Sequence, residues 1–360
     1  MGDDRPPPPL GVAILGYGYA GRTFHAPLAA ATPGLRLAAV GSSDPARVRA
    51  DLPGVPVLPV ADAVAAPGAD VVVVATPNDT HADLARAALL AGRHVVVDKP
   101  FTLSAAEALD LAALARRSGL ALAAFHNRRW DADFLALRAL LAGGALGRLA
   151  TLESRIDRHR PEVRRRWRES AVPGGGLWWD LGPHLVDQAL LLLGPPEGVR
   201  ADLAVQRGGG EAVDYAHVVL RYPGGVRAVL GASLLAAAET PRFAAHGTLG
   251  SYVKHGPDPQ EDALKRGERP GGGPGWGVDP RPGTLTLSRD GGAPVAAPAP
   301  GPAGDYPAFY AAFRDAVLGR GPNPVPAEEA ATVVAVLELA LRSAGQGGRE
   351  LPFAGEGAGR

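Results

Sequence analysis

Lys99, Asp180 and His184 have side chains suited to proton transfer, although they lie in two distant parts of the chain. Lys99 follows an apolar run, and His184 follows Asp180 by four residues, with Asp187 three further on. This spacing puts the last three on one helix face. A neutral His184 could take a hydroxyl proton, Asp180 could orient it, and Lys99 could stabilise the oxygen. A solvated polar face is the alternative, and the strand-edge position of Lys99 favours catalysis.

A glycine-rich turn near the start of the chain could bind a dinucleotide. The sequence GYGYAG, at 16–21, follows an apolar run and precedes a helical stretch. In such a turn Gly16 reverses the chain, Gly18 lets the backbone approach a pyrophosphate, and Gly21 lets the helix pack on its strand. The free N–H groups of the helix start then bind phosphate. We expect cofactor contacts from these glycines and from Tyr19.

The end of the second predicted strand bears on the choice between NADP and NAD. An acidic residue at this point usually binds the adenosine ribose of NAD, but this chain has Ser42 and Ser43. Their hydroxyls can donate hydrogen bonds to a 2′-phosphate, and Arg47 can neutralise it. Asp44 could contact a ribose, but it precedes a proline, which is typical of a helix cap. The sequence therefore favours NADP over NAD.

Further cofactor contacts are expected where the next two strands end. Ligands of open parallel sheets bind at the carboxyl edge of the strands. His81 could reach the cofactor or could simply occupy the first turn of a helix capped by Thr80. The predicted cofactor contacts at this edge are Thr76, Pro77, Asn78, His81, Asp98, Lys99 and Pro100.

The elements that must position these residues are α/β in class. Short β-branched runs alternate with alanine-rich helical stretches over the first third, which predicts a doubly wound parallel sheet. From about residue 130, successive strands with short turns indicate an α+β domain with a largely antiparallel sheet. The predicted strands are 12–15, 35–40, 71–75, 94–97, 120–125, 148–159, 199–206, 216–222, 226–234 and 242–246. The predicted helices are 21–31, 45–51, 80–91, 104–118, 131–141, 180–193, 305–318 and 327–344, with 256–283 and 293–304 irregular.

These elements suggest a division of the chain into two main domains. We expect a disordered lead at 1–10, a cofactor-binding domain at 11–128 and a substrate and oligomerisation domain at 129–305. Helices at 306–345 should pack back on the body, and 346–360 should form a tail.

The composition excludes several classes of function. The 37 basic residues balance 37 acidic ones, which argues against a nucleic-acid or anionic-membrane partner. The chain has no cysteine, and its histidines lack metal-ligand spacing, so neither a disulfide nor a metal site is expected. The N-terminus is acidic and proline-rich, unlike a signal peptide, and the apolar runs are too short to span a membrane. We expect a soluble, cytoplasmic protein with a small-molecule partner.

Several motifs resemble the Gfo/Idh/MocA oxidoreductases over nearly the whole chain. They are GYGYAG, ATPNDTH, DKP and GGGLWWDLGPH. The longer strings GYGYAGRTFHAPL, HVVVDKPFTLS, FHNRRWDADF and HRPEVRRRWRE resemble the NADP-dependent scyllo-inositol dehydrogenase branch. The resemblance implies a Rossmann domain and a second domain with an open mixed sheet. The outer face of that sheet would form a homodimer or homotetramer.

The resemblance also implies roles for individual residues. The characteristic lysine of the family falls on Lys99, its Asp/His pair falls on Asp180 and His184, and Asp98 stands where the family usually has Glu. Asn127, Arg128, Trp167 and Arg168 would approach the cofactor, and His126 would approach the substrate. Arg155, Asp157 and Arg158 could bind polyol hydroxyls, with a surface salt bridge as the alternative for all three. Arg155 and Asp157 share a strand face, whereas Arg158 should point elsewhere.

Three hypotheses about function follow. The first is reversible NADP-dependent oxidation of a cyclic polyol such as scyllo-inositol to inosose. The second keeps the mechanism with another sugar as substrate. The third is a non-catalytic regulator that binds dinucleotide, like the yeast galactose-regulon repressors that this family resembles. The joint presence of Lys99, Asp180 and His184 favours an enzyme.

Overall fold

The computed structural model describes residues 8–271, 273, 275–288 and 292–354, and these residues form two sheets with helices packed on them. The first sheet has six parallel strands in the order β3-β2-β1-β4-β5-β6. Its strands are Leu10–Leu15 (β1), Leu35–Gly41 (β2), Val57–Leu58 (β3), Val71–Val74 (β4), His94–Val97 (β5) and Leu122–Ala124 (β6). The helices between them are Ala26–Ala31 (α1), Pro45–Asp51 (α2), Val60–Ala63 (α3), His81–Leu90 (α4) and Ala105–Arg117 (α5). The prediction of a doubly wound parallel sheet is confirmed.

The strand order creates the ligand-binding edge of this sheet. Helices cover both faces of a parallel sheet, so its central strands are apolar throughout, as the four buried valines of β4 show. The chain leaves β1 toward β2 on one side and later returns to β4 on the other. Such a reversal opens a crevice beyond the carboxyl ends of the strands. The turn after β1 and the loops after β4 and β5 therefore meet at one edge.

The second sheet has nine strands in the order β14-β13-β12-β11-β7-β10-β9-β8-β15. Only β7 and β10 pair in parallel, so the expected open, largely antiparallel sheet is confirmed. Its strands are Leu149–Asp157 (β7), Gly198–Ala204 (β8), Tyr215–Arg221 (β9), Arg227–Ser233 (β10), Pro241–Gly247 (β11), Gly250–His255 (β12), Gly283–Leu287 (β13), Val295–Ala299 (β14) and Leu351–Pro352 (β15). The later helices of the chain are Ala132–Ala142 (α6), Leu177–Leu193 (α7), Gln260–Lys265 (α8), Pro307–Val317 (α9) and Ala327–Gly345 (α10), of which α9 packs on the first sheet.

Helix α10 packs against both hydrophobic cores. Ala330 and Val334 lie in the core of the first sheet, whereas Val336 and Leu337 lie in the core of the second. The side chains alternate between cores because positions three or four apart share a helix face. Helix α10 thus holds the first sheet and the second sheet in a fixed relative position. A site with residues from both domains requires this.

Several local predictions were wrong. The segments expected to be irregular contain α8 and β14, and β12 was not predicted. Strand β1 already begins in the expected lead, and β15 lies in the expected tail, while residues 1–7 and 355–360 lie outside the described residues. Edge strands such as β14 and β15 form through backbone hydrogen bonds to a neighbouring strand. The glycine and proline around them do not favour strands, so these strands could not be predicted from residue types.

Helix capping followed the prediction at Asp44 but not at Thr80. The Asp44 carboxylate accepts a hydrogen bond of 3.1 Å from the Arg47 N–H and caps α2, as expected. Thr80 and Ser104 occupy the cap positions of α4 and α5, but their side chains make no capping hydrogen bond. The Thr80 hydroxyl donates instead to the Pro77 carbonyl at 2.7 Å.

Candidate functional site

A cavity of about 770 Å³ opens at the carboxyl edge of the first sheet and extends along the second domain. Lys99, after β5, and Asp180 and His184, on α7, all line it. Tyr19 of the glycine-rich turn lines the same cavity. The fold therefore brings together the residues that the sequence suggested for catalysis, beside one end of the expected dinucleotide site.

Lys99 and Asp180 form an ion pair at the cavity wall. The Lys99 Nζ donates to Asp180 Oδ1 at 2.8 Å and to the Asp180 carbonyl oxygen at 2.6 Å. Burial alone would raise the pKa of Asp180, but the Lys99 ammonium outweighs it and holds that pKa well below its usual value. Asp180 is therefore ionised at neutral pH and fixes the position of the lysine.

The start of α7 sets the position of this pair. Gly176, just before the helix, has a φ of +89°, and a Cβ there would lie 3.2 Å from the Val213 backbone nitrogen. Only glycine fits this turn without strain. The helix begins at Leu177, three residues earlier than predicted, so Pro183 lies in its second turn rather than its first.

His184 lines the cavity and is buried. Its side chain is 5% exposed, and Nδ1 has no hydrogen-bond partner in the described part of the chain. Burial, together with the nearby Arg128 and Lys99 charges, lowers the pKa of His184 well below its usual value. The imidazole is neutral at pH 7 and able to accept a proton.

The suggested hydrogen bond between Asp180 and His184 is absent from the described residues. The two Asp180 carboxylate oxygens face Lys99, Arg158 and Arg168 instead. One turn of helix puts the two residues on the same face but does not make their polar atoms meet. Asp180 therefore orients Lys99 rather than the imidazole. Asp187 faces away and forms a buried pair of 2.6 Å with Arg129.

The glycine-rich turn has the shape that a dinucleotide requires. Gly16 has a φ of +93°, and a Cβ on Gly21 would lie 2.1 Å from the Gly16 carbonyl oxygen. A Cβ on Gly18, by contrast, would meet no atom within 4 Å. The first and third glycines thus permit tight backbone packing, and the middle one leaves open space for a pyrophosphate.

Tyr19 is connected to the second domain through Glu261, a residue that the sequence did not single out. The Tyr19 hydroxyl donates to Glu261 Oε1 at 2.7 Å, and the Arg128 Nη2 donates to Glu261 Oε2 at 2.7 Å. Arg128 also pairs with the buried Asp131 at 3.1 Å. Arg128 therefore lines the cavity with its charge already compensated. Glu261 belongs to the short helix α8 within a glycine- and proline-rich segment, which offered no signal for it.

The three residues proposed for a 2′-phosphate lie at the end of β2 and the start of α2. Ser42 Oγ accepts a hydrogen bond of 3.1 Å from the Asp44 N–H, which leaves its own hydrogen free to donate. Arg47 is 53% exposed, and its guanidinium lies 3.2 Å from the Asp44 carboxylate. Ser43, between them, is exposed.

Two residues predicted to contact the cofactor, His81 and Asn78, hold loops together in the structure. Both ring nitrogens of His81 lie at hydrogen-bond distance from carbonyl oxygens, with Nδ1 2.8 Å from Pro100 and Nε2 3.0 Å from Thr76. Asn78 Nδ2 donates to the Gly174 carbonyl at 3.0 Å. Both side chains are buried, so they connect the loops after β4 and β5 to each other and to the turn before α7. Pro77 lies in the same loop and is exposed, while Pro100 is buried.

The residues after β6 divide between the cavity and the protein interior. Asn127 lines the cavity, as does Asp98 at the end of β5. His126 is 1% exposed, and neither ring nitrogen has a hydrogen-bond partner among the described residues. The structure places His126 in the protein interior, and its contact with substrate stays a prediction.

The remaining predicted contacts lie on the second domain. Arg155 Nε pairs with Asp157 Oδ2 at 2.9 Å, which agrees with the salt-bridge alternative, although both residues line the cavity. The Arg168 guanidinium stacks on the Trp167 ring at 4.4 Å and also lines the cavity. The Trp167 ring thus packs on one face of the guanidinium and holds Arg168 in position.

Family models match both parts of the chain. Residues 10–126 match the model for the NAD-binding Rossmann fold of an oxidoreductase family, and residues 138–352 match the C-terminal alpha/beta domain of that family. Together with the cavity, these matches define an oxidoreductase with a nicotinamide-dinucleotide domain. The chain belongs to the Gfo/Idh/MocA family of oxidoreductases.

Individual relatives agree with this assignment. The uncharacterized oxidoreductase YdgJ of Escherichia coli is 52% identical over 92% of this chain and 96% of its own length. The scyllo-inositol 2-dehydrogenase (NADP(+)) IolW of Bacillus subtilis is 36% identical over 92% of this chain and 93% of its own length. The solved structure of YPO2259 from Yersinia pestis has a TM-score of 0.92 and 51% identity, covering 97% of this chain and 99% of that one.

Membrane-spanning helices and metal-binding clusters are both absent from the described residues. Within the described ranges, no helix combines the length and apolar character needed to span a bilayer. The same residues contain no group of three or more His, Asp or Glu side chains arranged to hold a metal ion.

Proposed function

We propose that this chain is an NADP-dependent dehydrogenase that reversibly oxidises a secondary alcohol of a cyclic polyol such as scyllo-inositol to the ketone. The observation that carries the proposal is the convergence of Lys99, Asp180 and His184 in one cavity beside the glycine-rich turn. The 36% identity to a scyllo-inositol dehydrogenase supports the choice of polyol.

In this mechanism the substrate hydroxyl lies between Lys99 and His184. Burial lowers the pKa of His184, so its imidazole is neutral at pH 7. It takes the hydroxyl proton on Nε2, because Nδ1 is buried without a hydrogen-bond partner among the described residues. The Lys99 ammonium, held by Asp180, stabilises the negative charge that develops on the oxygen. A nicotinamide cofactor held by the glycine-rich turn of Gly16, Gly18 and Gly21 would supply the hydride acceptor for the alcohol carbon. In the reverse direction His184 returns the proton to the oxygen.

Turnover with a substrate panel tests this function. The purified protein is incubated with NADPH or NADH and scyllo-inosose, myo-inosose or sugar ketones, and absorbance of the reduced nicotinamide is followed. We expect turnover with an inosose and NADPH. Turnover with another sugar alone would identify that sugar as the substrate. Tight cofactor binding without turnover on any substrate would favour a regulatory protein and overturn the dehydrogenase proposal.

A preference for NADP is expected to depend on Arg47. We predict that Arg47→Ala weakens NADPH binding roughly tenfold or more and NADH binding much less, because only NADPH has the 2′-phosphate that Arg47 would neutralise. Cofactor affinities from fluorescence titration measure this. The control is Arg49→Ala, which removes another cation from α2. Equal weakening of both cofactors in Arg47→Ala would contradict the proposed role.

The outer face of the second sheet is proposed to form a homodimer or homotetramer. On β9, half-buried His217 and Val219 alternate with buried residues, and Val219 lies opposite half-buried Val229 of β10. Apolar side chains in the centre of an exposed sheet face are typical of a subunit contact. We predict that sedimentation gives a dimer or tetramer and that Val229→Arg gives monomers. A monomeric wild-type protein would contradict this proposal.

A cytoplasmic location is part of the same proposal. The absence of cysteine among the 360 residues agrees with a reducing compartment.

A further inference from the structure

The wall of the cavity has an excess of positive charge that the described residues neutralise only in part. The segment between β7 and α7 contributes Arg158, Arg160, Arg164 and Arg168 to the wall. We call these four residues the arginine cluster. Most other cations of the wall have a close partner. Lys99 is 2.8 Å from Asp180, Arg155 is 2.9 Å from Asp157, Arg128 is 2.7 Å from Glu261, Arg166 is 2.7 Å from Glu169 and Lys265 is 3.0 Å from Glu261.

Among the described residues, the arginine cluster lacks such close partners. Arg160 and Arg164 form no ion pair within the described ranges of the chain. Arg158 and Arg168 approach only Asp180, at 3.9 Å and 3.8 Å, and that carboxylate is already bonded to Lys99. Burial and the neighbouring Arg158, Arg164 and Arg166 lower the pKa of Arg160. Like charges gathered at a partly enclosed surface repel one another, and a bound anion would relieve the repulsion.

The position of the cluster indicates where the anion comes from. Arg158 and Arg168 flank the carboxylate that holds Lys99, so they lie beside the reacting centre. In a dehydrogenase the nicotinamide ring, which has no phosphate of its own, must occupy that centre. An anion held there therefore belongs to the molecule that reacts with the ring.

We propose that the arginine cluster binds an anionic group of the substrate, so that the preferred substrate is a polyol or sugar with a carboxylate or phosphate. This inference rests on the proposed dehydrogenase function and replaces the neutral polyol named there with an acidic one as the preferred substrate. Guanidinium groups suit both anions, because their paired N–H donors match two oxygens of one carboxylate or phosphate. A neutral polyol such as scyllo-inositol would leave the cluster without a counter-charge.

Matched substrate pairs test the proposal. Oxidation rates are compared for glucose against glucuronate and glucose 6-phosphate, and for an inositol against its monophosphate. We expect a higher kcat/KM for one acidic member than for its neutral partner. In Arg160→Gln/Arg164→Gln this preference should fall roughly 10- to 100-fold, the effect of losing hydrogen bonds to a charged group. The control Arg165→Gln removes an exposed arginine of the same segment that does not line the cavity and should keep the wild-type preference.

A binding experiment separates the substrate from the cofactor as the source of the anion. Inorganic phosphate and glucuronate are titrated by calorimetry into the wild-type protein, alone and saturated with NADPH. Binding that persists with NADPH and disappears in Arg160→Gln/Arg164→Gln supports the proposal. Binding that NADPH abolishes would assign the cluster to cofactor phosphates and overturn it.

The two proposals fail in different ways. Oxidation of neutral polyols with no preference for acidic partners would overturn the anionic substrate and leave the dehydrogenase function intact. No oxidation of any substrate would overturn the dehydrogenase function, and the calorimetric result would still decide whether the cluster binds an anion beside the bound cofactor.

Discussion

The variant Lys99→Met is expected to lower kcat for alcohol oxidation about 10²- to 10³-fold, the effect of removing one donor to a developing oxyanion. Lys99 Nζ is fixed by two hydrogen bonds to Asp180, of 2.8 Å and 2.6 Å, so it is held in position before the substrate binds. Methionine keeps much of the length of the side chain and removes the charge. Initial rates of NADPH formation at saturating substrate measure the effect.

The Lys99→Met protein should still fold and bind its cofactor. Asp180 loses its closest cation, but Arg158 and Arg168 remain at 3.9 Å and 3.8 Å from its carboxylate and compensate part of the charge. Cofactor affinity and circular dichroism check this. The control Lys265→Met removes a half-exposed lysine from the rim of the same cavity. A kcat close to the wild-type value in Lys99→Met would exclude the proposed role.

The variant His184→Gln is expected to lower kcat about 10²- to 10⁴-fold, the usual contribution of a general base. Glutamine fills much of the same space, but its amide cannot take a proton at neutral pH. His184 is 5% exposed and has its Nδ1 buried, so water has little access to replace the imidazole. The control His246→Gln removes an exposed histidine on β11. Unchanged turnover in His184→Gln would assign the base to another group.

The pH dependence of oxidation should identify His184 as the base independently of the fall in kcat. Burial lowers the pKa of His184, so the neutral base persists below the pH at which an ordinary histidine becomes charged. Oxidation by the wild-type protein should therefore stay constant as pH falls through about 6.5, the usual histidine pKa, and decline only at lower pH. In His184→Gln this decline should be lost. A decline already centred at or above pH 6.5 would contradict the lowered pKa.

Much of the first domain could be predicted because its signals are local. The runs at β1, β4 and β5 are apolar on both faces, as strands buried under helices must be, and Asp44 with Pro45 marked the start of α2. The edges of the second sheet could not be predicted. Strand β14 has five exposed or half-exposed residues and forms only because β13 offers it a hydrogen-bonding edge.

The candidate site shows the same division between local and long-range information. His81 and Asn78 stand in a loop where ligands bind, yet the tertiary structure uses both side chains to hold loops together. Glu261 was missed because its only signal is spatial: it lies between Tyr19 and Arg128, residues far from it in the chain.

The sequence by itself determined which side chains could take part in catalysis. It also placed Lys99 at the end of a strand of the first sheet. The glycine spacing, the lysine after β5 and the spacing of Asp180 and His184 are local features, set by strand and helix periodicity. Only the tertiary structure decided that Asp180 holds Lys99 rather than His184, and that four arginines without close ion-pair partners among the described residues line the same cavity. Such partnerships depend on where α7 meets the end of β5, which is a contact between residues 81 positions apart.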